Sequence, residues 1–312
     1  MDFQPRLKER QGCILKTKNI LRPKTRTLVT YMLPSVTLFL VFTAIPVIMA
    51  VYYSFFNWSG GKNKAFIGIE NYLRLLEDEV FGKALLNNFI LAACCVIFQV
   101  GIAFIISSLI CSKMLKLKGF HQFSIFMPVV LAPVVVGFLW KIVYNQDYGL
   151  LNFLLRSIGL ESWIKPWLDD VEIVMKCITI PIVWQWIGLY VVIFVSAMKN
   201  ISEEIFESAA LDGASGIKKA IYITWPMTLD TVKISVILAV SGCMKIFEHI
   251  YIITGGGPGN ASMVGAMYAY KTSFIRQKFG YGSTISVGIM VVSLVLVAVC
   301  NIIFGKGKKK YE

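Results

Sequence analysis

The sequence predicts an all-α integral membrane protein with six transmembrane helices and a cytoplasmic helix–turn–helix loop. Three observations predict it. Of the 312 residues, 56% are hydrophobic, and the mean hydropathy is +0.68, too apolar for an ordinary soluble domain. The apolar residues gather in six runs, each near or above the ~20 residues that cross the hydrocarbon of a bilayer as a helix. Lysine and arginine are dense in every second connection between those runs, the pattern of helices that cross in alternate directions. Six helices also keep every backbone N–H and C=O bonded where lipid offers no partner.

In chain order, residues 1–27 form a basic N-terminal tail carrying Arg6, Lys8, Arg10, Lys16, Lys18, Arg22, Lys24 and Arg26. The apolar run that follows, about residues 28–56, is too long for the core of a signal peptide and reads as the first span. The other spans are expected near 84–110, 120–143, 173–198, 231–253 and 283–304, so that residues 28–304 make one membrane domain. Residues 305–312 are a short basic C-terminal tail. Both tails, residues 111–119 and residues 199–226 hold 18 lysines and arginines. The three loops on the other side hold about half as many, which places both termini and the 202–226 loop in the cytoplasm. The outer loops carry Trp58, Trp163 and Trp167, suited to a membrane–water boundary. Pro34, Pro46, Pro128, Pro133 and Pro181 fall in spans, where each is expected to break or kink its helix.

A net charge of +13 would suggest nucleic acid in a soluble chain. Here the basic residues flank apolar runs, so the charge serves orientation in a lipid bilayer, and no nucleic acid partner is expected. The seven cysteines include no CxxC pair and sit mostly in or beside apolar runs, as small buried hydrophobes rather than a disulfide framework or zinc site. No phosphate-cradling GxxxxGK[ST], HExxH or GxSxG occurs. Catalytic residues, metal ligands and a cofactor in this chain are therefore not expected.

Ionisable groups inside a span are costly and mark function by default. Lys141, Lys245, Glu248 and His249 qualify. Lys245 and Glu248, three apart, can pair if one helix carries both. Gln185 lies between Trp184 and Trp186 in the middle of the fourth span. An amide beside aromatic planes suits a sugar, whose hydroxyls need donors and acceptors and whose apolar ring face stacks; a Gln bonded to a neighbouring helix fits equally well. Gln185, Trp184, Lys141, Lys245 and Glu248 are the candidates for a solute path. Asn87, Asn88 and Gln99 are weaker ones.

Residues 203–226 read EEIFESAALDGASGIKKAIYITWP. Ser202 is placed to cap a first helix with Glu203 and Glu204 in its first turn, where negative charge suits the helix dipole. Ile205, Phe206, Ala209, Ala210 and Gly213 fall on one side of it, and Gly213 can end it in a left-handed conformation. Ser215 can cap a second helix that Pro226 closes.

This stretch resembles the coupling loop of ABC importer permease subunits: Glu-Ala-Ala, three residues, Gly, nine residues, Ile, one residue, Leu-Pro. Glu207, Ala209, Gly213, Ile223 and Pro226 stand at those positions, and Asp212 with Ala214 matches the Asp-Gly-Ala of the sugar importers. Ser208 replaces the first Ala, and Trp225 replaces Leu. Phe66, Gly68, Asn71 and Tyr72 resemble the Phe-x-Gly-x-x-Asn-Tyr that follows the first span in sugar permeases. Phe247, Ile250, Tyr251 and Thr254–Pro258 are similar to the family's Phe-Asp-x-Ile-Tyr…Thr-Gly-Gly-Gly-Pro, with Glu248 in place of Asp. The chain is thereby identified as similar to sugar permeases of the maltose and glycerol-phosphate importer type. The resemblance implies a bacterial cytoplasmic-membrane subunit paired with a second homologous permease. It implies an ABC ATPase dimer beneath, holding ATP and Mg, and an extracytoplasmic solute-binding protein above. Glu207 and Asp212 would make polar contacts to the ATPase, and Ala209, Ala210 and Gly213 would permit close approach. A different reading, a self-sufficient secondary transporter or channel, would need an ion-coupling site, for which Glu248 is the main acidic candidate.

Overall fold

The structure, a computed structural model, describes residues 25–112 and 115–308, with side chains as far as Phe304. Residues 1–24 of the basic tail, Lys113 and residues 309–312 of the C-terminal tail lie outside the described residues. The chain divides into two compact units, residues 1–52 and 53–312.

The first unit is dominated by α1 (Thr25–Ser54), long and apolar enough to cross a membrane. It widens into a π turn at Leu40–Ala44, two residues before Pro46. A proline has no N–H to offer the carbonyl four residues back, and a widened turn shifts the bonding register around that gap. Pro34 sits inside α1 without ending it.

The second unit opens with a hairpin, β1 (Phe56–Trp58) and β2 (Lys64–Phe66), antiparallel with Asn57 opposite Ala65. The short helix α2 (Glu70–Glu77) is stapled to it by the Asn71 amide, which donates to the Ser54 and Phe56 carbonyls at 2.9 and 3.1 Å. Three long helices follow the chain through the unit: α3 (Glu79–Cys111), α7 (Val174–Lys199) and α13 (Phe279–Lys308), each apolar over a membrane-spanning length. Pro181 lies inside α7 and does not end it.

One expected span is a bent pair, and a second bent pair joins the loop to the fifth span. The run expected at 120–143 is α4 (Lys118–Val130) and α5 (Pro133–Val143), set at 96°. Pro133 pushes Ala132 into the extended region (φ −61°, ψ 137°) and starts α5, where its missing N–H costs nothing. Between α5 and α7 lies the short helix α6 (Leu150–Ser157). The loop helices are α8 (Glu203–Leu211) and α9 (Gly216–Met227), the latter set at 75° to α10 (Leu229–Lys245). The fifth span therefore does not run to residue 253 as expected. It ends at Lys245, Ile246 is extended (φ −62°, ψ 129°), and α11 (Glu248–Ile253) packs against α5 instead. The last short helix, α12 (Gly265–Tyr270), lies on α3 and α13.

Buried side chains of α3, α7, α10, α12 and α13 form one core, with Phe194, Leu91, Ile178 and Ile285 at its centre. Gly188 permits a close crossing: a Cβ there would collide with the Ile125 carbonyl and lie 2.7 Å from Phe126 Cα, so α4 and α7 meet backbone to backbone. Small residues at helix crossings are how membrane helices gain packing without a hydrophobic drive. Polar clamps complete the assembly. Asn87 donates to the Ala261 and Met263 carbonyls at 2.9 and 2.7 Å. Asn88 donates to Cys243 at 2.7 Å and accepts from the Gly265 N–H at 2.8 Å. Gln99 donates to Ile182 at 3.0 Å. These three weaker path candidates thus fasten segments far apart in the chain, each through a backbone carbonyl. All six cysteines among the described residues are free.

Candidate functional site

The loop between α7 and α10 is a folded unit. Ser202 and Ser215 stand at the expected N-cap positions with extended backbones, but neither side chain makes the capping bond. Glu203 and Glu204 fill the first turn of α8. At its other end Gly213 takes φ +78°, a conformation that costs glycine little. The Ala214 N–H donates to the Ala209 carbonyl at 2.8 Å and the Gly213 N–H to the Ala210 carbonyl at 3.1 Å. That pair of bonds satisfies the orphan carbonyls of the last turn and fixes the direction in which the chain leaves α8.

Two side-chain contacts hold the loop to itself and to the spans. The Lys219 ammonium sits 3.8 Å from the centre of the Phe206 ring, joining α9 to α8. Trp225, where the resemblance had Leu, meets Phe104 of α3 edge-on at 4.9 Å. Phe104 in turn meets Phe194 of α7 at 5.8 Å. The larger ring thus reaches the core directly. A π turn at Ala220–Thr224 again precedes a proline by two residues. Pro226 does not close the second helix as expected: α9 continues to Met227, and the chain bends at Thr228, whose hydroxyl donates to the Thr224 carbonyl at 2.9 Å.

Of the loop residues singled out from the sequence, Glu207, Ala210, Asp212 and Gly213 are exposed, while Ala214, Ile223 and Pro226 are half-buried. Ala209 is buried within the chain. Its small size serves internal packing, a correction to the expected surface of small residues. The outward tip is apolar as well as acidic: Leu211 is 90% exposed, Ile217 78% and Tyr222 75%.

The solute-path candidates scatter. Gln185 is fully buried. Its amide N–H donates to the Leu131 carbonyl at 2.8 Å, the group left free by the α4–α5 break, and its Oε1 lies 2.6 Å from His249 Nε2. One side chain of α7 thereby holds the broken span and α11 together, and its amide is fully engaged within the chain. Trp184 meets Trp140 edge-on at 6.0 Å. Lys141 lines a polar cavity of about 650 Å³, and Lys245 lines a second of about 600 Å³. Glu248 is exposed at the start of α11. Lys245 and Glu248 are not on one helix, since α10 ends at the first and α11 begins at the second. The pairing expected from their spacing fails because Ile246 breaks the register.

At the end of the molecule remote from the loop, the sequence reading passed over Asp78. Its Oδ1 caps α3, accepting from the Val80 and Phe81 N–H groups at 2.9 and 3.1 Å. Its Oδ2 accepts from the Tyr268 and Tyr281 hydroxyls at 2.6 and 2.5 Å. Burial alone would raise this carboxyl, but the four hydrogen bonds outweigh burial and hold it below the ordinary 3.8. Burial and the Asp78 bond push Tyr268 up to about 12. An Asp immediately before a helical run was the available signal. The Thr254–Pro258 turn is held nearby by the Ser262 hydroxyl, which lies 2.7 Å from Thr254 Oγ1 and donates to the Gly257 carbonyl.

Membrane-length helices cross-linked by buried polar side chains carry a folded helix–turn–helix between α7 and α10. The chain is 34% identical over 274 residues to the probable ABC transporter permease protein YurN of Bacillus subtilis (strain 168), covering 87% of this chain and 94% of the relative. It belongs to the ABC transporter permeases. It is 28% identical over 296 residues to the diacetylchitobiose uptake system permease protein NgcF of Streptomyces coelicolor, covering 89% and 84%. Its fold matches a chain of the bacterial alginate ABC transporter crystallised with an alginate pentasaccharide-bound periplasmic protein. There the TM-score is 0.75 at 21% identity, over 88% of this chain and 92% of that one. No family model matches the sequence.

Proposed function

We propose that this chain is the permease subunit of an ATP-driven importer carrying a sugar or short glycan across a bacterial cytoplasmic membrane. Both termini face the cytoplasm, and a second homologous permease completes the path. A solute-binding protein delivers cargo from outside. ATP hydrolysis, with its Mg, belongs to a separate ATPase dimer docked on the loop of α8 and α9. The diacetylchitobiose relative and the alginate neighbour, itself bound to a glycan-loaded periplasmic protein, support the cargo class and the delivery partner.

One observation carries the docking: Leu211, Ile217 and Tyr222 are exposed on the folded loop of α8 and α9. Apolar groups in that position gain by entering a groove of another protein. Glu207 and Asp212 flank them as polar contacts. Closure of the ATPase by ATP then shifts the spans only as far as it binds one arrangement of the loop better than the other. The loop transmits that difference through Trp225, Phe104 and Phe194.

The test joins crosslinking to uptake in the assembled importer. A cysteine placed at Leu211 should crosslink to the nucleotide-hydrolysing subunit. Gly213→Phe should lower uptake of labelled glycan by about tenfold while ATP hydrolysis continues. Absence of any crosslink to an ATPase, together with normal uptake by Gly213→Phe, would sink the proposal.

A further inference from the structure

Four elements come together where the loop joins the spans. Cys111 is the last residue of α3, Lys199 the last of α7 and Lys118 the first of α4. α4 and α7 cross backbone to backbone at Gly188, and α9 reaches α3 through Trp225 on Phe104. Three lysines carried by these elements gather around one thiol. The charges of Lys199, Lys118 and Lys219 all bear on Cys111, and among the described residues no carboxylate answers them there. Cys111, Lys118 and Lys199 are exposed, and Lys219 is half-buried. The Lys219 ammonium rests 3.8 Å from the centre of the Phe206 ring, and with three donors it has others to give. The first turn of α4 adds to the positive field, since it holds no acidic residue and no side-chain cap. Beside it the surface turns apolar: Leu117 is 75% exposed, Phe120 65% and Phe123 69%.

We infer that Lys118, Lys199 and Lys219 form a site for the phosphate of an anionic phospholipid, which ties the ends of α4 and α7 to the loop of α8 and α9. Three like charges gathered without a carboxylate repel one another, and a phosphate among them replaces that repulsion with attraction. Lysine ammoniums serve phosphate as compact point charges. Place and neighbours select a lipid over a free phosphate or an acidic surface of the ATPase. The cluster stands at the ends of membrane-length helices, at the depth of headgroups, where each lysine adds to the pull on anionic lipid. The exposed Leu117, Phe120 and Phe123 offer acyl chains a surface for which a free anion has no use. The site goes beyond the importer reading and rests only on its orientation, with this end of the spans in the cytoplasm.

The assembled importer in vesicles of phosphatidylcholine mixed with phosphatidylglycerol tests it. A phosphatidylglycerol with a photoreactive headgroup should crosslink beside Cys111, Lys118 or Lys199, and a phosphatidylcholine probe of the same design should do so about fivefold less. Lys118→Gln and Lys199→Gln should each lower the phosphatidylglycerol crosslink about fivefold, whereas Lys118→Arg and Lys199→Arg, which keep the charge, should stay within about twofold. Lys165→Gln, in an outer loop, should leave it unchanged. Phosphatidylglycerol should also slow maleimide labelling of Cys111, read by peptide mapping, relative to vesicles of phosphatidylcholine alone. A crosslink that neither glutamine variant weakens would overturn the site. So would its loss on adding glycerol phosphate, which would assign the lysines to free phosphates, or a carbodiimide crosslink from Lys219 to the ATPase that forms equally well without phosphatidylglycerol. Labelling of Cys111 by an impermeant maleimide applied to intact cells would overturn the orientation and the site with it.

Discussion

Asp78 ties three helices together with four accepted hydrogen bonds. Its carboxyl is held below 3.8 in the folded protein, so the sign of its pH effect is fixed. The carboxylate stabilises the fold in full above that ordinary value, and the contribution is lost as the pH falls from there through the lowered one. Thermal unfolding of the detergent-solubilised chain should show Asp78→Asn melting below the unaltered protein by the same margin at pH 7 and pH 5, with the gap closing only below the ordinary 3.8. A gap that closes between pH 7 and pH 5 would contradict the assignment. Residue-scale chemistry of this kind was poorly legible in the sequence. Asn87 and Asn88 were visible as polar groups in a span, but their partners lie more than a hundred residues away, and the carbonyls they satisfy become bare only once α10 and α12 are in place. The left-handed Gly213 was legible because its cause is local.

The broken span α4–α5 sets the next scale. Pro128 and Pro133 marked where it would break, and the 96° angle came from packing against α7 and α11. Gln185 could be read either as a path residue or as a fastener, since the sequence held nothing to say where the Leu131 carbonyl would lie. Replacing it tests the fastening. Gln185→Leu removes the partners of the Leu131 carbonyl and the His249 ring in a buried site, which should cost about 1–3 kcal/mol. The measurable result is a lower unfolding midpoint and faster proteolysis between α4 and α5. If Gln185→Leu keeps full stability, the break is held by backbone packing alone. The Lys245–Glu248 pairing failed for a related reason: three-residue spacing implies a shared face only while a helix continues, and Ile246 interrupts it.

For the whole molecule, six apolar runs were legible because hydrocarbon thickness sets their length. The break in the third run and the early end of the fifth at Lys245, among the described residues, were not, since protein rather than lipid surrounds the backbone at such places. The orientation expected from charge is open to measurement in intact cells. A cysteine replacing Leu211 should resist a membrane-impermeant maleimide until the cells are broken, while one replacing the exposed Asn57 should react at once. The opposite pattern would invert the topology and remove the loop from any cytoplasmic motor. If the pattern holds, the clamp of Phe206 by Lys219 and the bonds around Gly213 make the loop a lever arm instead of a spring. Little of a stroke applied at Leu211 would be spent on deforming it. The give in the mechanism would then lie at Thr228, where α9 turns into α10, and tuning that joint should change how far the spans swing without changing how hard they are pushed.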